Sequence, residues 1–383
     1  MSPQNSTLGL IGGDFQYSTV RSGFRSGMYR PEDNAYIRNY AEMVDNFFYT
    51  GNVSTYPGYY PPESLSGIFV DPSLQRLFSC GGYTEEMTNV TSTDNSIYFN
   101  LFSEEGNVSS LGATSKKSLS WITGSFNNTI SWYPNQSGLS LKPDGTQLIM
   151  CGNLVSTTSS FTTQYRGPII IQYSLSNPWD ITSINGSSTW NYGGTNYNIY
   201  TTGVGSIFFY APQKSYNFGT SSTTKIQDIF VHPDGFIFYY LRDNIIYQGS
   251  ISSAWDIGAN GANLNVHTEF TIDPNLVTSL AITSYFSGFT FNATGTKLYV
   301  ISSSEYVVSN QNRSGATIFQ YNLSTPWSIS TASFKTFLTV SGFDGEMSGR
   351  AQGLLMFPNG ETMLCASNYY LSPRLYEYKI LPY

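Results

Sequence analysis

Charge is scarce in this sequence. Of 383 residues only 11% are Asp, Glu, Lys or Arg, against roughly 25% in ordinary globular domains. Lys and Arg together number 18 and the formal net charge is −7. No basic patch can therefore neutralise the several phosphates that nucleic-acid binding demands. No apolar run approaches the roughly 18 residues of a membrane-spanning helix. The opening MSPQNSTLGLIGGDFQY lacks the basic and apolar regions of a secretory signal peptide, which predicts synthesis in a cytoplasm. Cysteine is nearly absent: Cys80, Cys151 and Cys365 fit neither CxxC nor any other metal spacing. Two histidines, His232 and His267, do not build a three-ligand zinc site. GLIGGD from Gly9 lacks the lysine of a phosphate loop. No cofactor or metal is expected.

What the chain has instead is Ser, Thr, Asn and aromatic residues, with 30 Tyr, 25 Phe and 35 Gly, a composition of strands and turns. One pattern occurs five times: GIFVDPSLQRLFSCG from Gly67, GLSLKPDGTQLIMCG from Gly138, DIFVHPDGFIFYYLR from Asp228, GFTFNATGTKLYVIS from Gly288 and GLLMFPNGETMLCAS from Gly353. Pro72, Pro143, Pro233, Ala293 and Pro358 anchor the copies, at spacings of 71, 90, 60 and 65 residues. Five columns are apolar in every copy: four and two before the anchor (Ile68 and Val70 in the first copy), and five, six and eight after it (Leu77, Phe78 and Cys80). An alternating limb, a PDG-type turn and a limb apolar on both faces make a β-hairpin whose second strand is covered on both sides.

A second phrase follows three of the hairpins: LSNPWDITS from Leu175, ISSAWDIGA from Ile251 and LSTPWSIST from Leu323. It closes a third strand; Pro326 would stop the ladder and Trp327 fold its ring back over the blade edge. A fourth strand follows, such as VHTEF from Val266 or SFKTFLTVS from Ser333. The prediction is an all-β chain with one β-propeller over residues 45–383: five four-stranded blades, with DNFFYTGNVSTY (Asp45 to Tyr56) supplying the strand that the fifth copy lacks and closing the ring. A sixth, degenerate blade within Asn185 to Ile226 is the alternative. Residues 1–44 have no repeat partner and read as an N-terminal arm, with a short helix near Pro31 to Met43.

Few residues suggest chemistry. Asp228 is the one carboxylate at the first position of an inner strand, where the other copies have glycine. Glu85-Glu86 and Glu104-Glu105 fall in loop-like stretches, and glycoside hydrolysis needs two converging carboxyls. STWNYGGTNYNIYTTG, Ser188 to Gly203, carries Trp190, Tyr192, Tyr197 and Tyr200 amid Asn, Ser and Gly, the composition of an adaptable contact surface; an extra strand or cap on its own blade is the competing reading.

The hairpins of the form F-x-P-D-G-T-K-L-Y and the exits Q-Y-x-L-S-T-P-W-x-I-S-T, best matched at Phe291 to Ile301 and Gln320 to Thr331, resemble β-propeller repeats of bacteriophage virion proteins. The resemblance implies a non-enzymatic structural protein, a tail, fibre or capsid-decoration component of the virion. It would be made in the host cytoplasm and built into an oligomeric assembly. Its partners would be other virion proteins, reached through the N-terminal arm, and a host-surface glycan or protein. The alternatives are a glycan-degrading five-bladed propeller enzyme and an extracellular glycan-binding module.

Overall fold

The structure is a computed structural model that describes residues 46–52, 66–80, 96–107, 110–119, 121–123, 130–158, 163–185, 189–192, 195–198, 214–217, 226–273, 276, 284–308, 311–339, 350–358, 360, 362–368 and 374–381. The predicted arm, residues 1–44, and its helix lie outside them.

Four four-stranded antiparallel sheets and one larger sheet make a propeller-like, all-β arrangement. β1 (Asn46–Asn52) comes first in the chain but belongs to the last sheet. The first sheet holds β2 (Gly67–Val70), β3 (Arg76–Cys80), β4 (Ser96–Phe102) and β5 (Leu111–Ser118) in chain order. The second runs through β6 (Trp121–Thr123), β7 (Ile130–Leu141), β8 (Gln147–Thr158), β9 (Thr163–Leu175) and β10 (Ile184–Asn185). Among the described residues β11 (Thr189–Tyr192) and β12 (Thr195–Asn198) form a two-stranded sheet of their own, and β13 (Lys214–Asn217) then returns to β9. The 90-residue interval thus enlarges the second sheet, and among the described residues no further four-stranded sheet stands there.

The third sheet is β14 (Ile226–Val231), β15 (Ile237–Arg242), β16 (Ile245–Ile251) and β17 (Leu264–Thr271). The fourth is β18 (Ser284–Phe291), β19 (Lys297–Val308), β20 (Gln311–Leu323) and β21 (Ala332–Thr339). The last is β22 (Arg350–Met356), β23 (Thr362–Asn368) and β24 (Arg374–Leu381), completed by β1, which pairs antiparallel with β24 from Asn46↔Leu381 to Asn52↔Tyr376. The strand predicted to close the ring does pair there.

All twenty-five side chains of the five apolar columns are buried. The reason is the stacking of sheets. In β8, Leu148 and Met150 enter the core shared with the first sheet, beside Phe78 and Ile97. Ile149 and Cys151, pointing the other way, enter the core shared with the third, beside Ile229 and Phe238. A strand covered on both faces has no polar side, which is why the second limb of every hairpin is apolar throughout. Each such side chain contributes about 1.5–3 kcal/mol by leaving water.

Candidate functional site

The first strands of the five sheets, β2, β7, β14, β18 and β22, pack side by side, and β22 returns to β2. At the level of Gly67, Gly138, Asp228, Gly288 and Gly353 they nearly touch. A Cβ added to Gly67 would lie 2.8 Å from Gly138 Cα, and one added to Gly288 would lie 2.9 Å from Gly353 Cα. On Gly353 it would collide with the Ser66 carbonyl. β7, β14, β18 and β22 carry a bulge just before this level, at Gln136/Gly138, Ile226/Asp228, Phe286/Gly288 and Ala351/Gly353. Glycine is required there by backbone contact between sheets.

Asp228 is the single exception, and its carboxylate uses the space its neighbours give up. It lies against Gly138. Oδ1 accepts from its neighbour's Ile229 N–H (2.8 Å), and Oδ2 accepts from Phe289 N–H of the fourth sheet (3.0 Å). Burial pushes its pKa up to about 8, although the two backbone donors pull the other way. Cys80 and Cys151 are buried nearby. Burial pushes Cys80 up to about 12, and desolvation together with Asp228 also raises Cys151. Both are protonated thiols without nucleophilic character. No acidic side chain among the described residues perturbs Asp228. Glu104 and Glu105 are exposed in a surface turn, and Glu85 and Glu86 lie outside the described residues. The axial carboxyl can join the third and fourth sheets through its hydrogen bonds. Among the described residues no second carboxyl stands beside it.

The turn face holds the second constellation. Trp179, Trp255 and Trp327 all have left-handed backbones, with φ of 65°, 58° and 64°. Each donates its N–H to the carbonyl of the turn glycine in its own sheet: Trp179 to Gly145 (3.0 Å), Trp255 to Gly235 (3.0 Å) and Trp327 to Gly295 (2.8 Å). The indole lies flat on that glycine, so a methyl placed on Gly295 would run into the Trp327 ring. The ring also reaches the preceding sheet: Trp327 stacks on Phe230 at 5.9 Å and meets the edge of His232 at 4.5 Å, and the Tyr239 hydroxyl donates to its carbonyl. Trp179 likewise reaches Phe78 and Arg76 of the first sheet. The ring folds back over the turn of its own sheet and, beyond what the sequence reading foresaw, also wedges against the preceding sheet.

The first sheet writes the same contact backwards. Its turn has Leu74 (φ 56°) where the others have glycine, and Gly106 (φ 63°) where they have tryptophan. Gly106 N–H donates to the Leu74 carbonyl at 2.8 Å. The Asp71 carboxylate holds this turn, accepting from Gln75 N–H, Arg76 N–H, the Arg76 guanidinium and the Ser73 hydroxyl.

A glutamine column joins successive sheets. Gln172 donates to the Trp255 carbonyl (2.7 Å) and accepts from Ile257 N–H (2.9 Å); Gln248 accepts from Ile329 N–H (3.0 Å). Sequence reasoning passed over these residues, although Gln172, Gln248 and Gln320 stand at one position of the third strand.

Of the residues predicted to make a contact surface, Trp190 and Tyr197 are direct cross-strand partners, and Tyr192 pairs with Thr195, in the β11–β12 hairpin. Tyr200 lies outside the described residues. His232 lies 2.8 Å from the Asp234 carboxylate and meets the Trp327 ring edge-on.

No protein-family model matches the sequence, and no curated protein matches it. A solved structure of a functionally unknown protein from Desulfotomaculum acetoxidans is similar at 11% identity, over 72% of this chain and 73% of that one, with a TM-score of 0.29.

Proposed function

We propose that this chain is a non-enzymatic structural protein of a virion, five blades closed into one propeller and displayed as a tail, fibre or capsid-decoration component. Residues 1–44 would tie it to other virion proteins, and a host-surface glycan or protein would be its external ligand. The observation that carries the non-enzymatic reading is the axis: glycine backbones in contact, and one carboxyl already committed to two backbone N–H groups. The virion reading is supported by the resemblance of the hairpins and Pro-Trp exits to phage propeller repeats. A surface rich in Ser, Thr, Asn and Tyr suits contact rather than charge steering. Trp190, Tyr192, Tyr197 and Tyr200 are the proposed ligand residues, because a hairpin outside the main sheets is free to vary without disturbing the ring.

The test is to present the full chain to a glycan array and to host cells, and to look for both retention and hydrolysis. Retention without turnover, unchanged in Asp228→Asn, is expected. Turnover that disappears in Asp228→Asn would establish the glycan-degrading alternative instead. Deleting residues 1–44 is expected to leave a folded chain that no longer enters particles.

A further inference from the structure

Three exit phrases seat a tryptophan on the turn glycine of their own sheet, and the last sheet carries the same seat. Trp327 of the fourth sheet rests on Gly295, Phe291, His232 and Tyr239. One sheet further on, the corresponding positions of the repeat are Gly360, Met356, Asn292 and Tyr299. These four, with Ala293, Thr294 and Lys297, line a groove of about 160 Å³, a volume that accommodates an aromatic ring. A methyl on Gly145, Gly235 or Gly295 would run into the indole of its own sheet. Gly360 keeps the same left-handed backbone (φ 72°), yet none of the described residues comes within 4 Å of where its Cβ would be.

The groove continues an interface that the molecule builds twice elsewhere. Between the second and third sheets Gln172 donates to the Trp255 carbonyl and accepts from the N–H of Ile257, two residues on. Between the third and fourth sheets Gln248 accepts from Ile329 N–H, two residues beyond Trp327. Gln320 is next in the column, in register with Tyr299 of the groove. It is buried, and neither its Oε1 nor its Nε2 has a hydrogen-bond partner among the described residues. Burying an amide in that state is costly unless something supplies the missing bonds.

The filled seats specify the occupant. In each of them an indole lies on the glycine, and the tryptophan N–H donates to the glycine carbonyl. In two of them an isoleucine stands two residues further on and gives its N–H to the glutamine. A lone ring would fill the groove and leave Gln320 unpaired; a peptide of the form Trp-x-Ile meets both needs. A second copy has no such phrase to lend, because Trp179, Trp255 and Trp327 are all engaged in their own sheets.

We infer that the groove over Gly360 is a docking site for a tryptophan-bearing segment of a partner protein, of the form Trp-x-Ile. The indole lies on Gly360 against Met356 and Tyr299, the tryptophan N–H donates to the Gly360 carbonyl, and the backbone of the segment gives Gln320 its missing bonds. The propeller thereby gains an assembly contact on its turn face. This inference does not rest on the virion reading, since the chemistry of the occupant comes from the seats alone.

The test is calorimetric titration of the full chain with the peptide STPWSIST, a copy of its own Ser324–Thr331. The wild type should bind it, and the same peptide carrying Trp327→Ala should bind at least about 10-fold more weakly, because a buried ring is worth more than one factor of ten. Gly360→Asn puts a Cβ into the seat on a residue that tolerates the left-handed backbone. It should leave the urea midpoint of the free chain nearly unchanged and weaken the peptide at least about 10-fold. Gln320→Met should weaken the peptide and leave the binding of free indole, which reaches only the seat, unchanged. A peptide that does not bind the wild type would overturn the inference, as would binding that Gly360→Asn or Gln320→Met leaves unmoved. Indole binding as tight as that of the peptide would also overturn it, by assigning the seat to a small aromatic molecule. These outcomes are independent of glycan retention and particle incorporation.

Discussion

Asp228 makes the protein's stability depend on pH with an unusual sign. Its carboxyl titrates near 8 when folded, against 3.8 when unfolded. Between those values the folded chain holds a proton that the unfolded chain has released, so each pH unit upward favours unfolding. The full stabilisation is present below about pH 4, is lost progressively as pH rises, and levels off above about 8. The ceiling is ~1.4 kcal/mol per pH unit. The opposing Ile229 and Phe289 N–H groups are already contained in that folded value and set the width of the window, so the loss between pH 5 and 8 is roughly 3–4 kcal/mol, the slope easing as pH nears 8. The assay is urea unfolding of wild type and Asp228→Asn at pH 5, 6, 7 and 8, read as the difference between the two chains. Taking the difference between the two chains cancels what the other acids contribute. At Asp180 a hydrogen bond from Thr182 leads the terms that hold it below the usual carboxylate range. At Asp144 partial desolvation is outweighed by hydrogen bonds from Lys142 and Thr146. Wild type should lose ground steadily as pH rises. Parallel curves, or a wild type that gains on the asparagine variant, would refute the reasoning and show the carboxyl to be ionised in the fold.

Trp327→Ala should cost about 2–4 kcal/mol in urea unfolding through lost contact with Phe230, His232 and Phe291, with an unchanged ligand profile on a glycan array. In the first sheet Gly106→Trp should destabilise by roughly 1–3 kcal/mol because Leu74 occupies its place, and Leu74→Gly in the same chain should recover most of that loss; additive effects would reject the view that the two positions exchange roles. Gly353→Ala should cost at least about 2 kcal/mol in the same assay, since its methyl meets the Ser66 carbonyl and the inner strands cannot separate singly. Cys80, Cys151 and Cys365, all buried and with thiol pKa raised by desolvation, should resist a thiol reagent at pH 8 in the native chain and react fully in urea.

The fold was legible because the periodic rule was repeated. Five apolar columns could be aligned by the chain alone, and every member is buried. The closing strand was legible too, from a missing fourth strand at one end and a spare one at the other. Less visible were features that break or skip the pattern. Leu74 and Gly106 exchange the residue types of a contact, so a column search sees two mismatches where the geometry sees one conserved hydrogen bond. The pairing of β13 with β9 joins Lys214 to Gln172 across an interval with no repeat, and non-local pairing leaves no periodic trace. The β11–β12 hairpin, with Trp190 in register with Tyr197, lies in a stretch read from sequence as a contact surface or an extra strand. The glutamines were quoted within strands but not read as connectors, because their partners belong to the next sheet. Asp228 stood out in sequence as the odd carboxylate; its neighbours on the axis became known only with the fold.

The pairing of β1 with β24 also sets an order of events during synthesis. Asn46 and its partner Leu381 are 335 positions apart, so β1 leaves the ribosome long before the strand it needs. Sheets one to four can form from local hairpins as they emerge, while the last remains open until β24 has emerged. A chain stalled or truncated late would carry four finished sheets and two unpaired edges, the state most prone to pairing with another copy. Pairing of β24 with β1, rather than any folding step in the first four sheets, would then be the moment at which the last open edges are covered.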